Sequence, residues 1–180
     1  GAGTASGAAQ AGVAHVVADT DAQAMETIKQ MLSLMPLNNL AAAPALDFAA
    51  PVGELPGSEA SGQALAAALC DSESVLELLG GFASDCAYTA LASMGGSPVG
   101  VVASIGGSPV AIVCAAGKLS ADGCNKISKV VSVCDAFQIP VVTLINSTGF
   151  EPSSQGELCG SVREMAKLSH VYAEATTAKV

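Results

Sequence analysis

This chain predicts an α/β fold, and three observations carry that prediction. The stretch from Leu119 to Phe150 reads as an amphipathic helix, a break at Pro140 and an apolar strand, the helix-then-strand half of a crossover unit. The strand, Val141 to Ile145, runs without apolar/polar alternation, as a strand does when both its faces are covered in a parallel sheet. Apolar residues make up 51% of the chain, yet aromatics are 3% and tryptophan is absent. The core must therefore be built from Ala, Val, Leu, Ile and Met, which suits close packing of helix on sheet. A length of 180 residues accommodates one domain or parts of two.

In chain order, Gly1 to Ala11 is rich in Gly, Ala and Ser without a period and reads as loop. Val13 to Val17 has the residues of a short strand. Asp19, Thr20 and Asp21 then offer cap oxygens and first-turn negative charge to a helix. Its apolar positions Met25, Ile28, Leu32 and Met35 keep one stripe until Pro36. Leu37 to Ser58, with Pro44, Pro51 and Pro56 among alanines and little charge, reads as a linker packed along a surface, with a domain boundary inside it. Ser61 to Cys70 is a short helix carrying Leu65 and Leu69. Ser74 to Leu79 fits strand or helix by pattern, and strand is preferred. Ala87 to Met94 is a strand turned by Gly95-Gly96 into a second, Val99 to Ala103.

GGSPVGVV at 95–102 is echoed by GGSPVAIV at 106–113. Two copies are too few for a solenoid, so they read as successive turn-strand elements or a local duplication. No Lys-Ser/Thr and no immediate helix follow these glycines, so they read as turns and not as a phosphate cradle. In the helix after Leu119, Ser120 can cap, Asp122 lies in the first turn, and Cys124, Ile127, Val130, Val131, Cys134 and Phe137 recur at helical spacing. That face must be buried. A second long helix spans Glu157 to Ala175, with Leu158, Val162, Met165 and Tyr172 on one face and Glu164–Lys167 and His170–Glu174 at pairing distance. Lys179-Val180 begins a further strand.

The net charge is −9. Ten carboxylates face Lys29 alone up to Gly117, whereas six carboxylates meet six Lys and Arg residues afterwards. With so few aromatics for base stacking, nucleic acid is excluded as a partner, and the neutral second half is the better place for an anionic ligand. Cysteines 70, 86, 114, 124, 134 and 159 form no CxxC pair and have no His at ligand spacing. They read as buried reduced thiols, which implies a cytoplasmic protein. No apolar run reaches the roughly 18 residues of a membrane span. His15 and His170 are far apart, no Ser sits in a nucleophile elbow, and no carboxylate or His cluster forms a metal site. In open α/β sheets ligands gather beyond the carboxyl ends of the strands, which directs attention to Asn146, Ser147, Thr148, Gly149 and Phe150.

DGCNKISKVVSVCDAFQIPVVTLINSTGF resembles a segment of the carboxyltransferase subunits of biotin-dependent acyl-CoA carboxylases and decarboxylases, in which a helix ending in CDAF precedes IP, an apolar strand and a turn ending in GF. GSVREMAKLSHVYAEATTAKV is similar to that family's next helix, with AK, YAEAT and KV in the same order. Upstream, GVAH, LSLMPLNN and GGSPVGVVAS resemble the end of its amino-terminal domain and the hairpin that opens its carboxy-terminal one.

The resemblance implies a crotonase-like ββα spiral and a fragment of a longer subunit. Residues 1–40 would be the end of the amino-terminal domain, 41–60 a linker, and 61–180 the first part of the carboxy-terminal domain. It further implies carboxyl transfer between carboxybiotin on a carrier protein and the α-carbon of an acyl-CoA, without a metal. Biotin carboxyl carrier protein, biotin carboxylase or decarboxylase subunits and further copies of the chain would be the partners. Paired backbone amides in glycine-rich turns would stabilise the developing oxyanions. Those turns lie outside residues 1–180, so no catalytic residue is carried over and the fragment alone is expected to be inactive. Asn146 to Phe150, with Ser153 and Gly156, would border the biotin side of the site. The second GGSPV unit is extra sequence relative to the family. The alternatives are a crotonase-like acyl-CoA enzyme without biotin, and a non-catalytic assembly subunit.

Overall fold

The computed structural model describes residues 3–52, 56–57, 60–104, 118–145, 147–151 and 153–180. The elements in order are α1 (Ala5–Gln10), α2 (Asp21–Leu34), α3 (Gly62–Leu69), β1 (Leu76–Glu77), β2 (Ala87–Met94), β3 (Ser97–Ser104), α4 (Ala121–Ala136), β4 (Val141–Ile145), α5 (Ser154–Leu158) and α6 (Ser161–Glu174). The sheet runs β1-β2-β3-β4, antiparallel across the first three strands and parallel between β3 and β4, with Val101 opposite Val142. It is thus a mixed sheet, and α4 makes the crossover into its parallel half.

Both faces of the sheet are covered. On one side α4 presses Cys124, Ile127, Val130, Val131 and Cys134, all buried, against Leu91 and Val141. On the other, Leu65 and Ala66 of α3 meet Tyr88, Ala90, Ala92 and Val101. This explains why β2, like β4, lacks alternation: its first seven residues are all buried. Gly100 of β3 permits the close approach of α4, because a Cβ there would sit 2.5 Å from Cys134 Sγ.

Gly95 and Gly96, at φ 61° and 78°, make the hairpin turn that the sequence predicts. Asp71, nearly inaccessible, fixes it: the Ser93 hydroxyl (2.8 Å) and the Gly95 (2.9 Å) and Gly96 (2.8 Å) amides all donate to its carboxylate. The hairpin in turn carries β3, on which β4 is laid. Lys126 of α4 is fully buried and donates from Nζ to the Ala87 carbonyl at 2.8 Å; burial lowers its pKa.

The helices at 21–34, 62–69 and 121–136 start where the hydroxyls of Thr20, Ser61 and Ser120 accept first-turn amides. Other expectations need correction. The amino-terminal loop holds α1, capped by Thr4. Val13 to Val17 is not a strand; it runs irregularly, with the His15 carbonyl accepting from Leu79 N at 2.7 Å and the exposed His15 side chain outside the core. The stretch Ser74 to Leu79 contributes two strand residues only.

The long helix of 157–175 is broken at Cys159-Gly160, where Gly160 takes the left-handed φ of 88° and separates α5 from α6. Leu158 and Val162 therefore stay exposed, while Met165 and Tyr172 pack on the core. Glu164 pairs with Lys167 at 3.5 Å, whereas His170 and Glu174 form no ion pair.

The α2 stripe Met25, Ile28 and Leu32 faces outward, and Leu34, with half-buried Met31 and Met35, makes the inward contact. The linker is pinned where Leu46 N donates to Gly96 O (2.8 Å) and Ser72 N to Ala49 O (3.0 Å), but Leu37 and Leu40 are exposed. The second GGSPV unit and Cys114 lie outside the described residues. Cys70, Cys124 and Cys134 are buried free thiols and Cys86 is buried, as expected, whereas Cys159 is exposed.

Candidate functional site

Past its carboxyl end β4 turns through a loop that α4 sets in place. Leu119, just before the helix, donates its amide to Gly149 O (2.9 Å) and accepts from Glu151 N (3.0 Å), a parallel bridge that ties Phe150 to the entry of α4. Within the loop the Ser147 hydroxyl donates to Gly149 O and accepts from Gly149 N, both at 3.0 Å, closing a tight turn in which Gly149 has φ 112°. A residue with a side chain adopts that backbone only under strain.

Beside this loop opens a cavity of about 650 Å³. Leu119, Ile127 and Leu144 form its apolar floor, Ile145 and Phe150 one rim, and Leu168 of α6 the opposite wall. One polar pair reaches in: Thr143 Oγ1 and the Tyr172 hydroxyl, 2.9 Å apart. Burial pushes the Tyr172 phenol above its ordinary pKa, so at neutral pH it is an uncharged hydrogen-bonding group.

Lys179 and Val180 close the cavity's edge. Val180 pairs in parallel with β4, donating to Val141 O at 2.9 Å and accepting from Thr143 N at 2.6 Å. Their position is set from α4: Asp135 accepts from Thr176 N (2.6 Å), Thr177 N (3.0 Å) and Thr176 Oγ1 (3.1 Å). The Thr177 amide leads the causes that hold the Asp135 carboxyl below its ordinary value. Lys179 Nζ donates to the carbonyls of Tyr172 and Ala175, at the carboxyl end of α6 where the helix dipole favours a cation.

The structure divides the sequence-predicted rim. Ser147, Gly149 and Phe150 line the apolar cavity, and Thr148 is exposed in the same loop. Ser153 and Gly156 line a second, polar cavity of about 380 Å³ between the amino ends of α4 and α6. Asn146 lies outside the described residues. The sequence reading missed Thr143, Leu168, Tyr172 and Lys179 as wall residues. Helical spacing would have put Leu168 and Tyr172 on one face, but the pairing of Val180 with β4 is a long-range contact with no local signature.

The family model for the carboxyl transferase domain matches residues 2–180. The chain belongs to the carboxyl transferase family. It is 31% identical over 190 aligned residues to the biotin-dependent acetyl-/propionyl-coenzyme A carboxylase beta5 subunit of Mycobacterium tuberculosis, covering 96% of this chain and 33% of that protein. To the methylmalonyl-CoA carboxyltransferase 12S subunit of Propionibacterium freudenreichii it is 31% identical, over 92% of this chain and 32% of the relative.

Among solved structures, transcarboxylase 12S, crystallised as a hexamer with hydrolysed methylmalonyl-coenzyme A bound, superposes with a TM-score of 0.80 at 28% identity, over 98% of this chain and 36% of that one. A single-chain, multi-domain long-chain acyl-CoA carboxylase gives 0.76 at 25% identity, over 98% and 17%. The crotonase-like fold expected of carboxyl transferases is therefore the fold of this chain. The chain spans about a third of the length of the curated carboxyl transferases it matches.

Proposed function

We propose that this chain is the middle part of a carboxyltransferase subunit that moves a carboxyl group between carboxybiotin on a carrier protein and the α-carbon of an acyl-CoA. The observation that carries the reading is the carboxyl transferase match along residues 2–180. In this proposal residues 1–40 end the amino-terminal domain, 41–60 link, and 61–180 begin the carboxy-terminal domain. Further copies of the subunit, a biotin carboxyl carrier protein, and biotin carboxylase or decarboxylase subunits are its partners.

Carboxybiotin supplies an activated carboxyl group. The chain's residues suit its bicycle: the cavity beside β4 is large, apolar along Leu119, Leu144, Ile145 and Phe150, and polar at Ser147 and at the Thr143–Tyr172 pair. In this reading the apolar walls exclude water, which protects an intermediate prone to decarboxylation. The Ser147–Gly149 turn and Phe150 form the biotin-side rim, with Ser153 and Gly156 further out. Thr143 and Tyr172 orient a polar edge of the ring as neutral donor or acceptor. Stabilisation of the enolate and ureido oxyanions is assigned to backbone amides outside residues 1–180.

The test is transfer of labelled carboxyl from carboxylated carrier protein to acyl-CoA by the full-length protein, with and without avidin. Transfer abolished by avidin is the expected result. Turnover of acyl-CoA that is indifferent to avidin would overturn the biotin assignment and favour another crotonase-like activity. Carrier capture without turnover would favour an assembly role.

A further inference from the structure

The polar cavity of about 380 Å³ contains the amino end of α6, and three features there offer hydrogen-bond donors that no described residue takes up. Among the described helices α6 alone has no side-chain cap: Gly160 stands where the other five carry a Ser or Thr hydroxyl. Its first backbone bond runs from Glu164 N to Gly160 O at 3.2 Å, so the amides of Ser161, Val162 and Arg163 precede the hydrogen-bonded ladder.

Ser161 is 4% exposed, lines the cavity, and its hydroxyl has no hydrogen-bond partner among the described residues. No buried side-chain oxygen or nitrogen among them is both occluded and unpartnered, so the Ser161 hydroxyl opens onto the cavity. The Arg163 guanidinium folds back over the same helix end: a Cβ on Gly160 would lie 3.0 Å from its Nη2. A cation at the positive end of a helix is unfavourable. Its charge partner is Glu164, 3.5 Å from Nε, which also serves Lys167 at 3.5 Å, and the Nη atoms make no hydrogen bond among the described residues.

Unspent amides, an unpartnered buried hydroxyl and a guanidinium with free Nη donors together form the donor set of an oxyanion site. Asp122, Glu151 and Glu164 line the same cavity, and their repulsion opposes a dianion about twice as strongly as a monoanion. We propose that the amino end of α6 binds a monoanionic carboxylate, held by the Arg163 guanidinium, the Ser161 hydroxyl and the first-turn amides. The carboxylate belongs either to a small free acid or to the carboxylated reactant. The site itself does not depend on the carboxyl-transfer reading.

Calorimetric titration of the full-length protein with sodium formate, and separately with inorganic phosphate, tests it. Formate should bind more tightly than phosphate, Arg163→Gln should weaken formate by about tenfold or more, and Ser161→Ala by about threefold. Arg163 is on the surface, and circular dichroism of both variants checks that the fold is kept. Competition of formate with the carboxylated reactant assigns the site to that reactant's carboxylate; binding without competition assigns it to a free acid. Absence of formate binding, a preference for phosphate, or unchanged affinity in Arg163→Gln would overturn the proposal. If avidin-sensitive transfer fails while formate binding and its loss in the variants persist, the site stands and the catalytic reading falls.

Discussion

Asp71→Asn removes one charge from a nearly sealed pocket, and its cost can be worked from three hydrogen bonds. In the native protein the Asp71 carboxylate takes the Ser93 hydroxyl at 2.8 Å and the amides of Gly95 and Gly96 at 2.9 and 2.8 Å. An asparagine keeps the shape but turns one acceptor into a donor, which then faces a donor already in place. One charge-assisted bond is lost and one buried N–H is left without a partner, together about 2–4 kcal/mol. A loss of about 3 kcal/mol corresponds to roughly a hundredfold in an opening equilibrium.

Hydrogen exchange at the Gly95 and Gly96 amides of the full-length protein reads this directly. Both should exchange roughly a hundredfold faster in Asp71→Asn. Unchanged protection would refute the claim that this carboxylate holds the hairpin. The pH dependence carries the same sign. Burial by itself raises the pKa of Asp71, but the Gly96 amide, the Ser93 hydroxyl and the Gly95 amide outweigh it and leave the group below its ordinary 3.8. The stabilisation is therefore complete above the unfolded value near 3.8 and is lost as pH falls through the lower folded value.

In Gly149→Val of the full-length protein the new Cβ meets no atom within 4 Å, but a β-branched residue is forced to φ 112°, a strain of about 1–3 kcal/mol. Carboxyl transfer should fall severalfold while stability falls by no more than that strain, and unchanged kinetics would remove the Ser147–Gly149 turn from the site. Lys126→Met replaces a buried ammonium by an apolar chain of similar length, so stability at neutral pH should hold or rise. Because the folded pKa of Lys126 is lowered, the wild type should gain stability relative to this variant as pH rises from that value towards about 10.4, read from thermal unfolding. Iodoacetamide should label Cys159 and spare Cys70, Cys124 and Cys134, whose burial lifts their pKa values to about 11, about 11 and about 12, as peptide mass spectrometry would show.

The elements legible in the sequence are those whose local chemistry and packing agree. The α4 helix has a hydroxyl cap, a first-turn acid and an apolar face that meets the sheet, and β4 follows a proline, so both appear where the pattern places them. Where the two levels part, the reading failed. The stripe of Met25, Ile28 and Leu32 has perfect helical spacing, yet it turns away from the described core because α2 is held through Leu34 and through Gln30, whose Nε2 reaches the carbonyls of Glu73 and Ser74 at 3.4 Å. Gly160 sits inside a segment of good helix formers. Its φ of 88° ends one helix and starts another, and composition alone does not distinguish that from a tolerated glycine.

The same division runs through the candidate site. Strand ends attract ligands, which makes the loop after β4 legible in the sequence, but its companions arrive by contacts distant in sequence. Leu119 fixes Gly149 from thirty residues earlier, and Asp135 fixes Thr176 and Thr177 from about forty. Both anchors flank α4, one before its first turn and one in its last. A shift of α4 along the sheet would therefore move the Gly149–Phe150 rim and the Lys179–Val180 edge of the 650 Å³ cavity together. The contact that resists such a shift is the one that gave Gly100 its reason, with Cys134 Sγ lying where a Cβ would be. Gly100→Ala should thus disturb both edges of the cavity at once, although it touches neither, and residue-resolved hydrogen exchange at Glu151 and Thr177 would register the paired loosening. Loosening at one of the two alone would show that α4 does not couple them.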